Sequence, residues 1–151
     1  MKAVRMVAAY VLAVVVTAAV GSVVQTQYNL GALAVLGVPV SADARLSTTL
    51  HDLRHFAPLY ALVAGLAMGL ALPVAALLAR SRAPARTVVH ALAGAVAIGV
   101  ALGLMLLIMP VTPIGALRHA SGFVLLVAGG AVGGMIYARV YRPLPGDTAA
   151  G

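Results

Sequence analysis

His51-Asp52-Leu53-Arg54-His55 is a run whose residue types and spacing read directly as chemistry. Two histidines at i and i+4 share one helical face, the spacing a metal pair needs. With Asp52 between them they imitate the H-E-x-x-H pattern of zinc proteases, with Asp in place of Glu. The shorter Asp side chain would set a general base in a different place, and no third ligand follows nearby. His51 and His55 are therefore weak metal candidates. They rank below the plainer reading, interfacial histidines that keep a surface helix wet. No residue is assigned a catalytic role, and no cofactor is expected.

Arg118 and His119 are the more telling pair. They fall about one turn inside the outer end of the last apolar run, and an ionisable residue within a membrane segment is a functional hypothesis by default. An arginine at the membrane centre costs about 2.5–3.5 kcal/mol on insertion scales, and less near the interface. Arg118 can answer that cost by snorkelling to the headgroups or by meeting a carboxylate. Asp43 and Asp52 are the two carboxylates on that side, and Asp52 lies closer to a span. The expectation is that Arg118 approaches Asp52, with Gln25, Gln27, His55 and His119 close by. Such a cluster is a ligand site or a structural knot. The knot is favoured, because unsatisfied polar groups near lipid are costly whatever the function.

These residues must be carried by membrane helices. The chain is 63% hydrophobic and 9% charged. An apolar run of about 20 residues matches a hydrocarbon core roughly 30 Å thick. Four such runs are read, at about 6–24, 57–79, 87–109 and 113–137. They make an all-α, polytopic four-helix bundle, a single membrane domain over residues 1–142 with a short disordered tail at 143–151. Lys2 and Arg5 resemble a signal-peptide n-region, but the first run is long for one and is read as a retained helix. Pro58 suits the first turn of the second span, and Pro73 should kink it. The outer segment, 25–56, is read as a connector over Leu30–Val40, with a short helix ending at Gly37, and an amphipathic helix over Ser41–His55. Ser41 is its N-cap. Leu46, Leu50 and Leu53 fall on one side, to be laid on the bilayer or on the bundle as a cap.

Orientation follows from the basic residues. Lys2, Arg5, Arg80, Arg82, Arg86, Arg139 and Arg142 share one side, against Arg45, Arg54 and Arg118 on the other. That bias puts both termini in the cytoplasm of a bacterial inner membrane, with the outer segment facing away. The net charge of +7 sits at span ends, so anionic lipid is the expected partner and nucleic acid is not. The absence of cysteine excludes disulfides and thiolate metal centres. His90 and His119 fall at opposite membrane faces, which argues against a bis-histidine haem.

Small residues recur every fourth position, and in lipid such faces let helix backbones approach closely. Ala9, Ala13, Thr17 and Gly21 mark the first span; Ala61, Gly65 and Gly69 the second; Ala91, Ala95, Gly99 and Gly103 the third. The fourth has Gly129 with Gly133, and Gly130 with Gly134. These faces can build the bundle, or serve a homo-oligomer or another membrane protein. The glycine run does not match G-x-G-x-x-G and follows no strand, so a nucleotide site is not read.

The run Gln25-Thr26-Gln27-Tyr28-Asn29-Leu30, followed by Arg45–Leu53 and Phe56–Tyr60, resembles small, uncharacterised four-helix bacterial inner-membrane proteins. The resemblance implies the architecture and brings no activity, cofactor or catalytic residue. The leading functional expectation is a non-enzymatic accessory, assembly or scaffold subunit. A binder or transporter of a small or lipophilic molecule at the outer cluster comes second, and a metal-dependent membrane enzyme is a distant third.

Overall fold

The computed structural model describes residues 2–79 and 85–141; the tail at 143–151 lies outside the described residues. Four helices are formed: α1 (Lys2–Val35), α2 (Ala42–Leu78), α3 (Arg86–Ile108) and α4 (Ala120–Val140), with a 3-10 turn at Gly115–Arg118. All four are long and apolar enough to cross a membrane, and the molecule is a multi-pass membrane bundle. Each helix packs on its chain neighbours and α4 closes back on α1. The diagonal between α2 and α4 is a light contact. Residues 2, 79, 86 and 141 lie at one end, the terminal end; the α1–α2 and α3–α4 connections lie at the other.

The helices are unequal. α1 has 34 residues and α2 has 37, against 23 in α3 and 21 in α4. The expected break after Val24 is absent. α1 continues through Gln25–Asn29, because Leu30–Val35 carries no strong helix breaker but Gly31 and the backbone bonds stay satisfied inside the helix. It ends at Gly37, in the left-handed region at φ 81, where only glycine sits without strain. The Val38 N–H donates to Leu33 O at 3.1 Å and the Gly37 N–H to Ala34 O at 3.0 Å, closing the helix in a Schellman motif. Ser41 caps α2 as expected, its hydroxyl accepting from the Ala44 N–H at 3.2 Å.

The amphipathic segment is thus the first third of α2, not a separate surface helix. Pro58 lies inside α2 rather than at its start, since the capped turn at Ser41 begins the helix 17 residues earlier. Helix-interior prolines are tolerated in membranes where neighbours and side chains compensate the lost bond. Arg118 also moves. Pro110 ends α3 by forcing Met109 to extended backbone, and the chain turns through Gly115–Arg118 before α4 starts at Ala120. Arg118 is therefore exposed on the turn and not inside a span.

Helix α4 is wedged between two neighbours by glycines on adjacent faces. A Cβ added at Gly130 would strike the Gly94 carbonyl and the Ile98 side chain, the latter at 2.6 Å. One at Gly134 would strike the His90 carbonyl, and one at Gly94 the Gly130 carbonyl. The other face meets α1. Gly133 lies on Thr17, with the Ala13 carbonyl 2.9 Å from its added Cβ, and Gly129 lies 3.1 Å from Val20. Gly21 accommodates the Tyr60 ring, and Gly65 and Gly69 lie under Tyr10, whose hydroxyl donates to Gly65 O at 2.6 Å. On α3 the contact residues are His90, Gly94, Ile98 and Leu102, one position out of register with the expected Ala91, Ala95, Gly99 and Gly103. Gly99 makes ordinary contact with Val127 at 3.5 Å, and Gly103 has open space around it.

Gly134→Ala should therefore destabilise the bundle by at least about 1–3 kcal/mol, the usual penalty of overpacking, since carbonyl backbone cannot move aside. Gly103→Ala should lie within about 0.5 kcal/mol of the parent. Unfolding in mild detergent followed by circular dichroism compares the two.

Candidate functional site

The polar residues gather in a belt where α3 and α4 end and α1 and α2 continue. Gln25 is buried on α1, and its Oε1 accepts the Ala116 backbone N–H at 2.9 Å. That bond draws the α3–α4 connection over the bundle: Ile114, Ala116 and Leu117 are buried against Ile98, Leu102, Leu126 and Tyr60. The cap of the bundle is this connection, not the Ser41–His55 segment. A Cβ on Gly122 would strike Ala116 O, and one on Gly115 would strike Asn29, so both glycines let the turn seat closely.

Asp52 meets Thr26. The Thr26 hydroxyl lies 2.7 Å from Asp52 Oδ2 and 2.9 Å from the Ser22 carbonyl, two acceptors for one proton. Among the described residues no hydrogen bond or ion pair joins Asp52 to Arg118, which stands exposed on its turn. Farther out, Arg45 donates to Gln27 Oε1, Gln27 Nε2 donates to Thr49 at 3.4 Å, and Thr49 donates to Arg45 O at 2.7 Å. Tyr28 donates to Ser121 at 2.7 Å and its ring lies 5.5 Å from that of His119. The structure thus brings Gln25, Gln27 and Asp52 onto one α1–α2 seam, places His119 beside it, and leaves Arg118 and His55 outside.

His51 and His55 stack at 4.1 Å with an interplanar angle of 20°. Nδ1 of His55 lies 2.9 Å from His51 O. Near-parallel stacked rings aim their in-plane lone pairs past one another, whereas one metal needs both at about 2.0–2.1 Å. Among the described residues no group of three His, Cys, Asp or Glu side chains completes a metal set. His90 is fully buried near the terminal end, 5.5 Å from Tyr137 by ring centroid, with Nδ1 on Arg86 O at 2.8 Å. His119 precedes α4 while Tyr137 lies near its end, so the two histidines are separated by about 27 Å of helix rise and share no ligand.

Two groups escaped the sequence reading. The hydroxyls of Ser22 and Tyr60 are buried without a hydrogen-bond partner. Thr26 and Thr49 were legible only if α1 ran on past Val24; continued at 3.6 residues per turn, Ser22, Gln25, Thr26 and Asn29 form one face. In the arm this creates, Thr26, Gln27, Thr49 and Asp52 face the seam and Leu30 and Leu53 pack inward, whereas Asp43, His51, Arg54 and His55 are exposed; so are Leu46, expected to point down on the bundle, at 62%, Val35 at 88% and Leu36 at 78%.

Set against protein families, curated proteins and solved structures, the chain matches none.

Removing the Gln25 acceptor tests the belt. Gln25→Leu strands the Ala116 N–H and should cost about 1–3 kcal/mol. Arg118→Ala should change stability by less than about 0.5 kcal/mol. Asp52→Asn should be tolerated, because an amide can donate to Thr26 and free its proton for Ser22 O. Chemical unfolding of the three variants in detergent measures each.

Proposed function

We propose that this chain is a non-enzymatic accessory or scaffold subunit of a bacterial inner-membrane assembly, with both termini in the cytoplasm. The single observation that supports the reading is the set of exposed apolar side chains on the arm. α1 continues about 15 Å past Gln25, and α2 returns alongside it. The arm pairs Thr26 with Asp52 and Gln27 with Thr49 across its seam and exposes Leu33, Val35, Leu36, Val38, Leu46 and Leu50. Apolar side chains grouped outside the hydrocarbon mark a contact surface. The partners that fit are another membrane protein or a second copy of this chain, with lipid around the spans. The seam itself is a knot: Thr26 binds Asp52, Gln27 binds Thr49 and Arg45, and Gln25 accepts from Ala116 of the α3–α4 connection.

A second reading, a binder of a small molecule at the belt, is favoured by the unpartnered Ser22 and Tyr60 hydroxyls. One experiment separates them. A photo-crosslinking residue at Leu36 in cells should give a discrete adduct, and one at lipid-facing Leu66 should not. Val35→Ser with Leu36→Ser should abolish the adduct from a crosslinker at Leu46 without changing unfolding. No adduct from Leu36 or Leu46 overturns the scaffold reading. Ser22→Ala or Tyr60→Phe that weakens uptake or binding while the adduct persists favours the binder.

A further inference from the structure

The first third of α2 carries an outward stripe that mixes apolar and charged groups. Asp43, Leu46, Ser47, Leu50 and Arg54 are all exposed. At 3.6 residues per turn of one continuous helix they share an arc of about 100°. Asp43 lies at the outer tip and Arg54 beside the belt, about 16 Å apart by helix rise. Among the described residues, the side chain of neither takes part in a hydrogen bond or an ion pair. From tip to membrane the stripe therefore runs acid, two leucines, base.

That order selects among occupants. α2 continues into a membrane span, so the stripe stands along the axis of the span, and a bilayer surface meets one end of it and not both. A second copy in the same membrane has the same direction and the same level. Across a two-fold axis along the bilayer normal, Asp43 meets its own counterpart and so does Arg54. Like charges so opposed weaken association. The nearest opposite charges are already engaged, since Arg45 donates to Gln27 and Asp52 accepts from Thr26. We propose that this stripe docks a helix of a different protein, whose contact face carries a base opposite Asp43, apolar residues over Leu46 and Leu50, and an acid opposite Arg54. The leucines supply contact area, and the end charges fix register and direction. Such a partner presupposes the scaffold reading above and gives it a chemistry.

A photo-crosslinking residue at Ser47, in the middle of the stripe, is introduced into the full-length protein in cells. It should give an adduct with another protein. Sequenced by mass spectrometry, the attached peptide should carry Lys or Arg on one side of the attachment and Asp or Glu on the other, about 11 residues apart on a helix. Asp43→Arg with Arg54→Asp keeps the net charge and both leucines. It should lower the adduct at least about tenfold with unfolding in detergent unchanged. Asp43 also suits a helix N-terminus. Where the exchange lowers stability, Arg54→Glu alone should lower the adduct at least about threefold. An adduct joining two copies of this chain overturns the proposal. So does an adduct with lipid, one unchanged by the charge substitutions, or an attached peptide without the base and the acid. No adduct at Ser47 while Leu36 gives one overturns this docking face and leaves the scaffold reading standing. No adduct at Leu36, Leu46 or Ser47 overturns both.

Discussion

Backbone contact between α3 and α4 sets the geometry on which the other contacts depend. Where Gly94, Gly130 and Gly134 meet, there is no room for a methyl group. In lipid, apolar side chains gain nothing by leaving one hydrocarbon for another, so association rests on close approach and dispersion. Glycines do this twice on α4. Gly130 and Gly134 turn to α3, and Gly129 and Gly133, one position earlier, turn to α1. With both neighbours drawn in, α1 brings Gly21 under Tyr60 and Gln25 under the α3–α4 turn. The placement of the belt follows from packing some ten residues deeper in the membrane.

Polar groups are then sorted by whether a partner lies within reach. Thr26 finds Asp52 and Gln27 finds Thr49 because α1 and α2 remain in contact beyond the ends of α3 and α4, and Gln25 finds Ala116 of the connection between them. The same contact packs Leu30 and Leu53 inward and leaves Leu46 and Leu50 of early α2 uncovered by this chain.

The four apolar spans were legible from hydropathy, and so was the Ser41 cap, whose signal is local. The continuation of α1 was not. Gln25–Asn29 looks like the end of a membrane segment by hydropathy, which measures where hydrocarbon stops and not where helical hydrogen bonding stops. Leu30–Val35 resumes an apolar pattern compatible with helix, and Gly37 provides the termination signal. The α3 contact face was also missed by one residue: Ala91, Ala95, Gly99 and Gly103 are an equally regular small stripe, and only the neighbouring helix selects Gly94 over them. Arg118 was misplaced because Pro113 looked like a helix start, whereas the chain makes a 3-10 turn that buries Ala116 and Leu117 first.

Unbroken helices also have a mechanical meaning. α1 and α2 run from the arm tip to the terminal end without an intervening loop. Pro58, the position in α2 that lacks an N–H for its ladder bond, lies near the level of the belt. Asp43 is 15 residues before it, about 22 Å by helix rise. A rotation of about 5° at that level carries the tip roughly 2 Å by the same rise. The hairpin is in this sense a lever with its fulcrum near Pro58, whose outer limb is the shorter one, since α2 continues 20 residues, about 30 Å, to Leu78.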